Sequence, residues 1–179
     1  MKDFAELLEL RRYFLTKYHG ETPVSVLESA KSGGHVWAVL RCEYAVTDVW
    51  TIDPESKPGA VGPGVKLASL LALGGWIQNV IDLNAGGAPW VEWDCLLRNV
   101  TRPTTVFLTI GQAVADTVPV VAVTLGLGKL NVPRPILKRL GPHAISAQLA
   151  RPLDYPLRVV ECAEVPAKRR LVGFHLVPN

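Results

Sequence analysis

Apolar residues recur at helical spacing over the first eighteen positions. Phe4, Leu7, Leu8, Phe14, Leu15 and Tyr18 form one stripe, with Glu6, Glu9, Arg12 and Lys17 opposite it. Asp3 stands as an N-cap, Glu6 completes a capping box, and Gly20 supplies the stop. Thr22-Pro23 is a second cap followed by proline at a first helical position, and predicts a short helix ended by Gly33-Gly34. The pattern then changes to period two. In HVWAVLRCEYAVTDVWTI, residues Val36, Ala38, Leu40, Cys42, Tyr44, Val46, Trp50 and Ile52 share one face, and Arg41, Glu43, Thr47 and Thr51 the other, which predicts one long strand. A loop rich in Pro and Gly, 53–64, leads into VKLASLLALGGWIQNVIDL. Only Ser69 is polar between Leu67 and Ile77, so the period predicts a helix over 65–83 buried on most of its circumference. Gly74-Gly75 within it cost roughly 1–2 kcal/mol against two alanines; close backbone approach would offset that, and a kink is the other reading.

Strands are predicted at 89–98, 104–112, 118–126, 143–150, 156–164 and 170–177, the last two as a hairpin around VPAKRR, with a short helix in NVPRPILKRLG. Together these elements predict an α+β single domain over 1–179. A curved antiparallel β-sheet of five to six strands packs around one buried central helix, with an N-terminal helix pair over an edge.

Composition adds one pressure. Charged residues are 20% and apolar residues 49% of the chain, against about 25% charged in an average soluble domain. The surplus predicts either self-association, as a homodimer or higher oligomer, or a well-filled core. A net charge of +3 is too small to imply nucleic acid by itself. The basic run Lys168-Arg169-Arg170 reads as a solvated turn or as an anion-binding patch. Cys42, Cys95 and Cys162 lie far apart without a CxxC pair, and no two histidines have ligand spacing, so neither a disulfide framework nor a metal or other cofactor is expected. With no signal-peptide core and no apolar span, the expected location is cytoplasmic.

Candidate chemistry gathers in APWVEWDCLLRN. As a strand it puts Trp90, Glu92, Asp94, Leu96 and Arg98 on one face and Val91, Trp93, Cys95 and Leu97 on the other. The first face is either wet, with an Arg98–Asp94 contact, or it lines a cleft where Trp90 lowers the dielectric and a carboxylate acts as general base. Asp48 falls on an apolar strand face; it either emerges to solvent where the strand bends near Thr47 or is a buried acid with a catalytic role. No GxSxG elbow is present, and the GLGK of TLGLGKLNVP completes no phosphate loop.

The run VGPGVKLASLLALGGWIQNVIDL followed by PWVEWDCLLRNVTRPTTVFLTIGQ resembles the helix and strand pair of hot-dog-fold acyl-thioesterase-like proteins, and the C-terminal strands extend the likeness. The resemblance implies a small acyl-thioester ligand held across a dimer interface. Gly64 and Val65 would offer backbone N–H groups to the thioester carbonyl beside Trp90, and Asp94 or Glu92 would activate water for hydrolysis. The helix entrance is Pro63-Gly64-Val65, where many members carry His-Gly-Gly, a departure that touches catalysis more than fold. GKLNVPRPILKRLG is similar to a segment of rhabdovirus matrix proteins, and implies the alternative of a self-assembling matrix- or capsid-type protein whose basic patches meet a membrane surface or nucleic acid.

Overall fold

The computed structural model describes residues 4–29, 34–52, 67–87, 89–110, 157–165 and 170–179. Helix α1 (Phe4–Tyr18) forms where its apolar stripe predicts, burying Leu7, Leu8, Leu10, Arg11, Phe14 and Leu15. Strand β1 (Val24–Ser29) then takes the place of the second predicted helix. All of VSVLES except Ser25 is buried, as befits a strand covered on both faces, where alternation disappears. The long strand predicted over 36–52 is instead helix α2 (Gly34–Leu40) and strand β2 (Val46–Ile52). Val36, Trp37 and Leu40 face inward while Ala38, which period two placed inside, is exposed. That is helical spacing, which a short apolar run can imitate in either period.

The central helix needs the largest correction. Helix α3 (Leu67–Leu73) ends at Gly74 and Gly75, with φ of +68° and +74°, and strand β3 (Val80–Gly87) follows. Left-handed φ terminates a helix, and glycine adopts it without a Cβ penalty. The pair is a stop signal. Leu67 and Leu71 are buried, but Leu73 is 83% and Ile77 65% exposed, so the segment lies on the sheet with one side wet. Residues 89–98 are likewise no strand. Helix α4 (Trp90–Asn99) buries Trp93, Leu96 and Leu97, with Val100 behind them, at i, i+3, i+4 and i+7. Strands β4 (Thr104–Ile110), β5 (Leu157–Val165) and β6 (Arg170–Pro178) fall where the sequence predicts them, β5 and β6 as an antiparallel pair. The strands predicted at 118–126 and 143–150, and the helix between them, lie outside the described residues.

The six described strands form one sheet in the order β2-β1-β3-β4-β6-β5. β2, β1, β3 and β4 run parallel, and β6 is antiparallel to both its neighbours, β4 and β5. This mixed sheet with helices on both faces replaces the antiparallel wrapping around a central rod. One face carries α1 and α2 over Val24, Val26, Val80, Phe107 and Leu171. The other carries α3 and α4 over Leu27, Ile81, Leu83, Val106, Leu108 and Phe174. Among the described residues no helix is long and apolar enough to cross a membrane.

Strand registers arrange the α1/α2 face in rows. Thr51, Glu28, Asp82, Phe107 and Gly173 make one, and Val49, Val26, Val80, Thr105, His175 and Glu161 the row below it, nearer the N-terminal ends of the parallel strands. α1 is pinned across both. At its foot, Thr105 Oγ1 lies 2.9 Å from His19 Nε2 and 3.1 Å from His175 Nδ1, and Tyr18 stacks on His175 at 3.8 Å. Tyr13 and Tyr18 donate to Glu161, which also pairs with Lys17 at 2.8 Å.

Burial, with His175 adding to it, pushes His19 down to about 4 from its ordinary 6.5. The unfolded chain therefore takes up a proton near 6.5 that the folded chain refuses until about 4, and stability falls as pH drops through that window. The expected loss is on the order of 2–3 kcal/mol. Urea unfolding at the two ends of the window measures it, and a His19→Gln variant should lose that part of the pH dependence.

Candidate ligand-binding site

A parallel sheet built outward in both directions from one strand has a crevice where the chain reverses direction. Here β1 is followed outward by β2, after which the chain crosses back over β1 to β3, so the reversal lies between β1 and β3. Ligands of such sheets bind outside the carboxyl ends of the strands at this point. The pairing of β1 with β3 stops at Glu28↔Asp82. Beyond it β1 stays with β2 to Ser29↔Ile52, and β3 stays with β4 to Leu83↔Leu108 and, past an irregularity, Gly87↔Ile110. The two carboxyl groups stand where the strands part.

Their surroundings differ. Asp82 is fully buried and receives Arg11 Nε at 3.0 Å, Arg11 Nη2 at 2.6 and 2.8 Å, and Trp37 Nε1 at 2.9 Å. Arg11, 1% exposed, also donates to the Leu7 carbonyl and lies 4.8 Å from the Phe107 ring centre and 5.9 Å from that of Trp37. Glu28, equally buried, accepts one bond to Oε1, from Thr51 at 2.8 Å, while its Oε2 has no partner among the described residues. Burial pushes the Glu28 carboxyl up, and the charge of Asp82 adds to it; the Thr51 hydrogen bond and the charge of Arg11 oppose and are outweighed. One row further out, near the end of β4, Thr109 Oγ1 is also buried without a partner among the described residues. Two orphaned polar atoms thus sit on one face at the carboxyl edge, where a buried group left unpaired normally costs 1–3 kcal/mol, an estimate of about the size a ligand's hydrogen bond recovers.

The residues singled out from sequence fall elsewhere. Glu92 and Asp94 are on α4, where Asp94 accepts from Arg98 Nε at 3.0 Å one turn away, the neighbour contact of a half-wet helix face. Trp90 begins that helix, directly after the β3 end of the crevice. Asp48 lies near the start of β2, on the α3/α4 side, half-buried, and accepts from Ser25 at 2.6 Å and Thr47 at 2.9 Å. Arg170 starts β6, while Gly64, Val65, Lys168 and Arg169 are outside the described residues. The structure does not bring Asp48 together with Glu92 and Asp94 at one edge.

Arg11, Glu28 and Asp82 were the residues missed, and a signal for Arg11 existed. It sits one turn after Leu7 and one before Leu15, so it belongs to the apolar stripe, where a cation requires a buried anion.

No family model and no curated protein matches the chain. Solved structures do. The Trm1 protein of Pyrococcus horikoshii, in complex with S-adenosyl-L-methionine, aligns at TM-score 0.61 and 15% identity over 99% of this chain and 54% of its own. The plantazolicin methyltransferase BpumL, with a desmethylPZN analog and SAH, aligns at 0.55 and 11% over 98% of this chain and 86% of its own. A Streptococcus thermophilus protein provisionally assigned as a hemolysin aligns at 0.54 and 9% over 97% of this chain and 66% of its own. The chain spans about half the length of the Pyrococcus protein. These alignments overturn the resemblance to hot-dog thioesterases and that to rhabdovirus matrix proteins, and the acyl-thioester and self-assembling structural functions that rested on those builds go with them. The chain shares the α/β fold of these solved structures, among its described residues a mixed six-stranded sheet with its carboxyl edge parting between β1 and β3.

Proposed function

We propose that the chain binds S-adenosylmethionine in the β1–β3 crevice and acts as a methyltransferase. The observation that carries this reading is the buried Glu28 carboxyl, its Oε2 unpartnered, beside Asp82 at the point where the strands part. Sheets of this kind also take dinucleotides and nucleotide phosphates, whose phosphates are held by backbone N–H groups at a helix N-terminus. Among the described residues two carboxyl groups stand at the mouth, and the Arg11 guanidinium is already committed to Asp82. That environment favours a ligand whose positive charge a carboxylate can pair with and whose sugar hydroxyls donate. S-adenosylmethionine has both features, and when bound it supplies an electrophilic methyl group on a sulfonium sulfur.

In this arrangement Glu28 accepts hydrogen bonds from the ligand, Thr51 holds the Glu28 carboxyl in place, and Thr109 offers a hydroxyl two strands over, on β4. Arg11 and Trp37 fix Asp82, so the floor of the crevice is rigid before the ligand arrives. Isothermal titration of S-adenosylmethionine, NAD and ATP into the protein tests the reading. The first is expected to bind, and Glu28→Ala to weaken it tenfold to a hundredfold, about 1.5–3 kcal/mol for hydrogen bonds to a charged group. Tighter binding of either phosphate ligand would reverse the assignment.

A further inference from the structure

The two carboxyl groups at the mouth are register neighbours with unequal support. Asp82 has a bidentate guanidinium and an indole N–H, whereas Glu28 has a single hydroxyl donor. The charged side chains that face Glu28 among the described residues are Asp82 of β3 and Arg11 of α1. The side chains contributed on this side by β2 and α2, Thr51 and Trp37, are neutral. His35 of α2 is exposed in the groove with Phe4 and Cys42, and Asp48 of β2 faces the opposite side of the sheet. Two like charges in a buried site with one counter-ion are not both carried; the less supported group keeps its proton. Burial acts on Glu28 in the same direction.

We propose that Glu28 carries a proton in the free protein and releases it to solvent when the cationic ligand docks, so that ligand capture at this crevice is proton-linked. The proposal rests on the reading of the crevice as an S-adenosylmethionine site. The O–H bond of the Glu28 carboxyl breaks, the proton passes to buffer, and the carboxylate left behind pairs with the positive charge of the ligand. No other bond changes. Raising the pH then strengthens binding until Glu28 is ionised in the free protein as well, after which affinity levels off.

Calorimetric titration of S-adenosylmethionine in two buffers of different ionisation enthalpy, repeated over a series of pH values, reads the released proton directly. The observed heat is expected to differ between buffers by up to one proton per ligand, and Kd to tighten by up to about tenfold per pH unit within the window. Glu28→Gln has no proton to release, so its buffer dependence should fall to that of the ligand's own α-amino group. Thr51→Val removes the hydrogen bond that favours the charged form, so the window should move to higher pH; it serves where Glu28→Gln does not fold. Wild-type binding with equal heats in both buffers and a flat Kd would overturn the proton link and leave the site standing. Release undiminished in Glu28→Gln would overturn Glu28 as the source. Absence of binding at every pH would overturn the crevice reading and the proposal together.

Discussion

Replacing Arg11 by Met should destabilise the protein by about 3–5 kcal/mol, the cost of leaving one member of a buried ion pair alone. Asp82 is fully buried, and without the guanidinium it keeps, among the described residues, the Trp37 indole as a donor, while its register neighbour on β1 is another carboxyl group. Met fills much of the space between the Phe107 and Trp37 rings, so lost packing is the smaller part of the effect. A double variant, Arg11→Met with Asp82→Leu, separates the two contributions. It removes both charges from the interior, and an apolar pair of similar volume is expected to return most of the lost stability. Urea unfolding of the two single variants and the double gives a coupling energy of several kcal/mol if the pair acts as a unit. A single Arg11→Met variant within about 0.5 kcal/mol of wild type would mean that Asp82 finds another partner, and the rigid floor assigned to the crevice would be lost with it.

The same pair shows how far the sequence could be read. α1 was clear because cap, stripe and stop agreed, and β4, β5 and β6 were clear because each is bounded by turn residues. The middle of the chain misled for one physical reason: strand β1 and the first half of β3, Val80 to Leu83, are buried on both faces, so they carry no alternation and merge with the apolar helices beside them. Gly74-Gly75 held the decisive information, since two glycines within an apolar run end a helix as readily as they allow close packing. In 89–100, Trp93 and Leu97 fit both periods, while buried Leu96 and Val100 distinguish helix from strand. The site was harder still. Glu28 and Asp82 are 54 positions apart and become neighbours only through strand pairing, which local pattern cannot supply. The carboxylates that local pattern did offer, Glu92 and Asp94, belong to a helix face that reaches water.

Gly173 should tolerate no side chain in the wild-type background, and Gly173→Ala is expected to destabilise by about 1–3 kcal/mol, the cost of overpacking a filled core. A Cβ on Gly173 would lie 2.4 Å from Phe14 Cε2 and 2.8 Å from Cδ2, nearer than real carbon contacts come. The ring cannot swing aside, because Phe14 is fully buried and packs edge-on to Phe107 at 5.8 Å and against Tyr18 at 5.8 Å. The strand cannot retreat either, being paired with β4 at Phe107 and with β5 at Ala163. Alanine in place of a strand glycine would by itself gain roughly 0.5–1 kcal/mol through lower unfolded-chain entropy, so the clash must exceed that gain for the sign predicted. Phe14→Leu makes the test sharp, since the shorter side chain clears the space. In that background Gly173→Ala should become neutral or stabilising, measured by the midpoint of urea unfolding. Stabilisation by Gly173→Ala in the presence of Phe14 would show that α1 stands further from the sheet than these contacts require. The grip of Arg11 on Asp82, one helical turn away, would then have to be longer as well.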